Sequence, residues 1–507
     1  MELAIIHSRA CVGVEAPEVT VEVHISNGMP GFSLVGLPET TVKESKDRVR
    51  SAILNSNFEF PSKRITVNLA PADLPKEGGR FDLPIALGIL AASQQIALNK
   101  LDSHEFVGEL ALSGELRRVK GVLPAALACL KIPRTLVVPN DNGDQAALVG
   151  QELHKSAATL LEVCADLCGQ QTMGLFTTSE TAVEPSNERD LQDIIGQQQG
   201  KRALEIAAAG SHNLLFLGPP GTGKTMLASR LCDLLPEMDD DEALESASVA
   251  SLTELEINHH NWKNRPFRAP HHSSSMAALV GGGSIPRPGE ISLAHNGLLF
   301  LDEMPEFDRK VLDSLREPLE SGEIIISRAA GKTRFPARFQ LVGALNPSPT
   351  GYYEGSQTRV NPQTILRYLS RLSGPLLDRF DMSIEIPALP KGTLSQGGER
   401  GESTQVVKQR VWQARQVMLE RSGKVNALLN SREIEVFCAL QKPDAEFLEH
   451  ALHQLGLSVR AYHRILKVAR TIADLSQAQA IEKAHLAEAL GYRNMDRLLK
   501  QLTAQAV

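Results

Sequence analysis

The sequence predicts an α/β protein whose centre is a strand–loop–helix unit built to hold phosphate. Three observations carry this. Asn213 to Leu217 (NLLFL) is a short apolar run followed at once by GPPGTGKT, Gly218 to Thr225, and then by a helical stretch through Met226, Leu227 and Leu231. Downstream, Leu298 to Leu301 (LLFL) repeats the buried-strand pattern and ends on Asp302 and Glu303. On either side of these segments, period-two alternation marks strands towards the N-terminus and 3.6-residue spacing marks helices towards the C-terminus.

The eight-residue loop has a chemistry of its own. Gly218, Gly221 and Gly223 let successive backbone N–H groups face a polyphosphate, with Thr222 between them and Met226 opening the helix. Lys224 can reach the β/γ oxygens and the Thr225 hydroxyl can hold Mg²⁺. The acidic pair completes it: Asp302 is placed for the metal, and Glu303 beside the γ-phosphate to orient water. A glycine-rich turn alone is often only a turn, and an acidic pair after a strand is often a solvated loop. Together, in strand–helix context, they point to ATP binding and hydrolysis with ATP and Mg²⁺ as cofactors.

At 507 residues the chain exceeds the size at which a single core stops growing, so several domains are expected. An apolar fraction of 42% and a charged fraction of 22% are ordinary for a soluble globular protein, and no run reaches membrane-spanning length. The N-terminal MELAIIHSRACVGVE lacks the plan of a signal peptide, so a cytoplasmic protein without membrane contact is expected. The six cysteines include no CxxC pair and no histidine partner at zinc spacing. Cys164 and Cys168, four apart on an apolar helix, read as two packed thiols. A net charge of −7 argues against a broadly basic surface and requires any nucleic-acid contact to be local.

Along the chain, residues 1–170 read as a mixed α+β domain. Val19, Val21, Val23 and Ile25 alternate with polar residues, as do Ile65, Val67 and Leu69. Glu39 to Asn55 places Val42, Val49 and Ile53 on one helical face, and Leu83 to Ala92 is apolar throughout, as a buried helix is. Residues 171–189 are polar and aperiodic, a linker. The nucleotide core follows over 190–388, and a second polar stretch leads into a helical lid over 389–507. There Val459, Tyr462, Ile465, Leu466, Ala469, Ile472 and Ala473 form an apolar stripe, with Arg460, Arg464 and Lys467 elsewhere on the same helix.

Beyond the phosphate loop, the segments DIIGQQQGKRALEIAAAGSHNLLFLGPPGTGKT, RPFRAPHHSSSMAALVGGGSIPRPGEISLAHNGLLFLDEMPEF, ISRAAGKTRFPARFQLVGALNP and LSGPLLDRFD resemble the magnesium-chelatase-like branch of the AAA+ ATPases. Within it, nearly the whole chain resembles the bacterial ComM/YifB family. The resemblance implies an AAA+ P-loop core with a helical lid and an N-terminal domain similar to the proteolytic domain of Lon. It also implies roles. Asn346, ending the run LVGALN, is similar to a sensor of the attacking water or γ-phosphate, Arg379 in LLDRFD to the arginine finger serving a neighbouring subunit, and Arg460 in LSVRAYHR to the second sensor. A finger acting in trans requires an oligomer, and the ring of the family is a homo-hexamer.

Two insertions of this branch are visible. Residues 323–340 read as two β-runs around a Gly331 turn, which clusters Arg328, Lys332 and Arg334 at a hairpin tip as candidate DNA contacts. Residues 268–290 hold His271, His272 and Arg287 in a loop with little core pattern, the histidines serving structure or an interface rather than a metal. Two departures stand out. Many relatives carry cysteines in an NPCPCGY-like pattern where this chain has NPSPTGYYEGSQTRVNPQ, so Ser348 and Thr350 replace metal ligands and no zinc is expected. Lon-type proteases use a serine in a PKDGPSAG-like turn and a lysine further on, but here the turn reads PKEGGRFD, with Arg80 at the serine position and Pro124 near that of the lysine. Assembly, docking or DNA binding is therefore expected of this domain in place of peptide hydrolysis.

The resemblance implies a ring-forming DNA motor with helicase or branch-migration activity. It would act on single-stranded and branched DNA with recombination proteins, most specifically in the integration of DNA during natural transformation (competence). Two other classes stay open: a chelatase-type ATPase that remodels a protein partner, and an ATP-dependent protease or its regulator, the protease form of which the absent dyad disfavours.

Overall fold

The computed structural model describes residues 3–36, 42, 44–97, 100–150, 154–174, 189–283, 286–328, 331–351, 361–390, 392–393 and 401–506. The N-terminal domain is a mixed sheet of β1 (Leu3–Arg9), β2 (Glu18–Ser26), β3 (Gly31–Val35), β4 (Arg64–Ala70), β5 (His104–Phe106), β6 (Thr135–Pro139) and β7 (His154–Ala157), in the order β3-β4-β2-β1-β5-β6-β7. β2 pairs antiparallel with both β1 and β4, and the strands from β1 through β5 and β6 to β7 run parallel.

The alternation expected over residues 19–25 and 65–69 is met, with every apolar residue of those runs buried. Their cover is the Asp82–Ala92 helix, buried along its whole length as its composition requires, together with the Ser45–Asn55 helix and its Val49 and Ile53. Val42 is buried too, but residues 39–41 and 43 of that expected helix lie outside the described residues. The cysteine pair is corrected: Cys164 is buried in the Leu160–Leu167 helix, while Cys168 follows that helix and is exposed. Four residues bring a side chain to the same helical face only while the helix lasts.

The second sheet is wholly parallel. It contains β8 (Leu214–Leu217), β9 (Phe267–Arg268), β10 (Leu298–Leu301), β13 (Gln340–Leu345) and β14 (Met382–Glu385) in the order β9-β10-β13-β8-β14. The two LLFL runs are buried at every position because helices cover both faces of a parallel sheet. Between β10 and β13 the chain makes the expected hairpin from β11 (Glu323–Arg328) and β12 (Gly331–Pro336).

The 268–290 segment departs from the unpatterned loop expected of it. It forms a short helix, Met276–Val280, whose Leu279 is fully buried, and a two-residue β-pair between Gly281–Gly282 and Arg287–Pro288. The C-terminal region is helical as expected, but its last helix, Asn494–Ala506, returns to pack Met495 and Leu502 into the core shared with the hairpin and the Pro362–Leu369 helix. In the Val459–Leu475 helix the apolar stripe is buried or half-buried except at Val459, which is 75% exposed at the first turn and lies beyond the packed face.

Candidate functional site: the phosphate loop and its surroundings

β8 delivers the glycine-rich loop to the carboxyl end of the sheet, where open α/β folds bind ligands. Gly218 passes so close to the Ile386 carbonyl that a Cβ there would lie 2.3 Å from its oxygen. Gly221 (φ +77°) and Gly223 (φ +90°) occupy the left-handed region, and nothing stands within 4 Å of where their Cβ atoms would be. The loop thus turns a bare backbone towards open space at the start of the Lys224–Leu234 helix, whose first N–H groups are available to an anion. The Thr222 hydroxyl donates to the Pro219 carbonyl at 3.0 Å and pins the loop. Met226 is half-exposed on the helix.

Lys224 is buried, and its ammonium spends all three protons: on Gly218 O at 2.7 Å, Pro219 O at 2.8 Å and Asn346 Oδ1 at 3.2 Å. Burial lowers its pKa, an effect that the Asp302 and Glu303 carboxylates oppose. Thr225 Oγ1 donates to Asp302 Oδ2 at 2.7 Å. A hydroxyl and a carboxylate in contact at the mouth of a phosphate loop are the hard oxygen pair that Mg²⁺ takes when it arrives with a nucleotide, so these residues fit the metal. Asp302 Oδ1 also accepts the Glu303 N–H at 2.9 Å. Glu303 itself sits at φ +51°, an uncommon and strained conformation for a non-glycine residue, and strain of this kind concentrates at functional positions. Asn346 directly follows β13, at the strand end expected of it, and its Oδ1 lies beside Lys224.

Two neighbours of this site were missed in the sequence. His272 Nδ1 lies 3.6 Å from Glu303 Oε2, so the 268–290 segment reaches the acidic pair. Gln197, at φ +52°, donates from one amide to Thr222 O at 3.3 Å and Pro387 O at 2.8 Å, tying the loop to the chain leaving β14. An HH pair in a glycine-rich segment carries no distance information, and a lone glutamine before a helix carries no signal.

The two arginines stand apart. Arg379 precedes β14, which runs parallel to β8 with Leu214 opposite Met382 and Leu217 opposite Glu385. The phosphate loop leaves the Leu217 end, whereas Arg379 lies at the Leu214 end, where Asn213 Nδ2 donates to its carbonyl at 2.9 Å. A strand length of roughly 10 Å separates the two ends. The Arg379 guanidinium is ion-paired with Glu320, and burial, with the nearby Arg460 and Arg316 charges, lowers its pKa. Arg460 is exposed and lies 3.5 Å from Asp378, next to Arg379 and away from Lys224. Arg464 shares that carboxylate at 3.9 Å. This cluster joins lid to core, as does the buried contact of His212 Nε2 with Thr471 Oγ1 at 2.7 Å, while His212 Nδ1 lies 3.6 Å from Asp381 within the core.

On the hairpin, Thr333 and Phe335 face the core while Lys332 and Arg334 alternate outwards and are exposed, opposite Ser327 and Ile325. The expected cluster at the tip is thereby modified: Lys332 is next to the turn and Arg334 midway along the strand. Arg328 pairs with Gly331 at the turn; its side chain and residues 329–330 lie outside the described residues. After Asn346, Ser348 and Thr350 share a hydrogen bond at 3.0 Å, and residues 352–360 lie outside the described residues. Among the described residues no helix is long and apolar enough to cross a membrane.

Comparison with known proteins agrees with this geometry. Family models described as magnesium chelatase, subunit ChlI, match residues 190–394, as subunit ChlI of Mg-chelatase residues 21–142, and as its C-terminal part residues 401–493. The chain is 65% identical over 507 residues to competence protein ComM of Haemophilus influenzae, covering 99% of this chain and 100% of the relative. It is 58% identical over 502 residues to YifB of Escherichia coli, covering 99% of each. To the magnesium-chelatase 38 kDa subunit of Cereibacter sphaeroides it is 26% identical over 58% of this chain and 87% of the relative. The chain belongs to the ComM/YifB family of magnesium-chelatase-like AAA+ ATPases.

Proposed function

We propose that this protein is a ring-forming ATP-driven DNA motor that promotes the integration of DNA during natural transformation or recombination by helicase or branch-migration activity. Lys224 and the loop glycines bind the polyphosphate, Thr225 and Asp302 hold Mg²⁺, and Glu303 orients the attacking water with Asn346 as its sensor. Arg379 completes a neighbouring subunit's site, with Arg460 beside it.

The observation that carries the DNA reading is the pair Lys332 and Arg334, side by side on the exposed face of a hairpin whose other face is bedded in the ATPase core. Lateral cations on a core-anchored arm suit phosphate contacts, which give affinity without sequence choice. The name of the relative in Haemophilus influenzae, a competence protein, supports the same reading. The test is unwinding of a forked or four-way DNA junction with ATP, run beside Lys224→Ala. ATP-dependent unwinding lost in the variant supports the motor, and absence of unwinding and of DNA-stimulated hydrolysis overturns it.

A second reading, a chelatase-type ATPase that remodels a protein partner, is favoured by the similarity of the core to the magnesium-chelatase subunit. Hydrolysis stimulated by a protein of the porphyrin pathway and indifferent to DNA would select it.

A further inference from the structure

Between the N-terminal domain and the ATPase core lies a cleft of about 360 Å³, lined by Cys11, the Glu77–Arg80 turn, Glu109, Arg118 to Lys120, Leu252 and Pro286 to Pro288. Its floor is Arg80, the residue standing at the position of the lost serine. Arg80 is only 5% exposed, and its Nε and Nη2 have no hydrogen-bond partner; Nη1 makes a long contact, 3.5 Å, to the Lys120 carbonyl, and the side chain also meets the Cys11 thiol. The neighbouring Cys11 thiol, its pKa raised by burial, is a neutral and weak acceptor.

A buried guanidinium with two unsatisfied nitrogens is costly, so it marks a place where an anion belongs. The rim repeats the sign. Arg118 and Lys120 come from the N-terminal domain and Arg287 from the 268–290 segment, all exposed, which puts four cations on the cleft against the carboxylates of Glu77 and Glu109. Glu254 pairs with Lys120 from outside the lining. Gly78, at φ +65°, has nothing within 4 Å of its would-be Cβ and opens the turn to the cavity.

We propose that this cleft is a binding site for a phosphate-bearing ligand, with Arg80 as its buried anchor and Arg118 and Arg287 closing on it from the two domains. Arginine presents a planar fork that matches phosphate oxygens. The volume is that of a small-molecule site and exceeds what a bare phosphate fills, so the ligand carries an organic body, as a mononucleotide or a strand of nucleic acid does. Arg80, Arg118 and Arg287 lie outside the hairpin on which the motor reading rests, although Gly13 of the cleft lining packs against that hairpin at Thr333, Arg334 and Phe335. Arg287 lies in the segment that also brings His272 to Glu303.

The experiment uses the full-length Lys224→Ala protein, so that the phosphate loop does not dominate, and measures binding of inorganic pyrophosphate, thymidine 5′-monophosphate and a dT oligonucleotide. The same titrations are run with Arg80→Gln added, and separately with Arg118→Gln/Arg287→Gln, whose exposed positions tolerate change. Loss of one charge-assisted anchor weakens binding about tenfold or more. An Arg80-dependent affinity for the monophosphate assigns the site to a nucleotide, and one seen only with the oligonucleotide assigns it to a strand. No binding of any probe in the parent, or unchanged affinity in both added variants, overturns the proposal.

Discussion

The side-chain amide of Asn213 donates to the carbonyl oxygen of Arg379 at 2.9 Å and fixes that arginine at the end of β8 opposite the phosphate loop. The same asparagine receives the Leu341 N–H at 2.8 Å, so the arrangement is stitched to a third strand. An arginine so placed stands a strand's length from the phosphate loop of its own subunit.

Glu303→Gln is expected to retain ATP and abolish turnover, because the amide packs like the carboxylate but does not polarise water. Nucleotide retention and phosphate release measured together check this, and near-normal turnover removes Glu303 from the role. His272→Ala, which removes the imidazole 3.6 Å from that carboxylate, should change turnover several-fold with ATP affinity preserved.

Lys224→Ala should lose ATP affinity outright. Its ammonium already bridges the loop carbonyls and Asn346, so the substitution removes both a charge on the β/γ oxygens and the tie between loop and sensor. Equilibrium binding of a fluorescent ATP analogue checks it, and unchanged affinity contradicts the assignment.

Most of this centre was legible in the sequence because its parts are contiguous. Gly218 to Thr225 and the Asp302–Glu303 pair each follow an LLFL run, and parallel pairing through β13 brings the runs into one sheet. What stayed hidden depends on contacts between distant segments. His272 beside Glu303, the return of the Asn494–Ala506 helix onto the core, and the half-satisfied Arg80 under the interdomain cleft have no periodicity to announce them. The helix stripe was read correctly at Ile465 to Ala473 and failed at Val459, since spacing gives a face but not where packing against it begins.

Replacing both Lys332 and Arg334 with Ala should leave folding and basal ATPase intact, both being exposed on the hairpin's outer face. DNA-stimulated hydrolysis and unwinding should be lost, and the slope of log affinity against log salt should flatten by about two, one per phosphate contact removed. Unchanged stimulation and slope would move the search for DNA contacts to residues 268–290 or to the N-terminal domain.

His154 gives a pH dependence. It is buried with both ring nitrogens unpartnered, and burial lowers its pKa from 6.5 to about 4. Between those values the unfolded chain binds the proton and the folded one does not. Stability is therefore complete above pH 6.5 and declines as pH falls towards 4, by ~3 kcal/mol in all. His154→Leu should flatten this part of the acid-unfolding curve, and a curve of unchanged steepness contradicts the assignment.

On the proposed mechanism each ATP is hydrolysed between two subunits, with Arg379 of one serving the phosphate loop of the next. Arg379→Ala alone should bind ATP normally and turn it over about 10³-fold more slowly. The direct measurement mixes Arg379→Ala subunits with Lys224→Ala subunits and records ATPase activity in confirmed mixed oligomers. Recovery of hydrolysis well above that of either variant alone is the predicted result, because an intact finger then meets an intact loop. Mixed oligomers as inactive as the separate variants would contradict it.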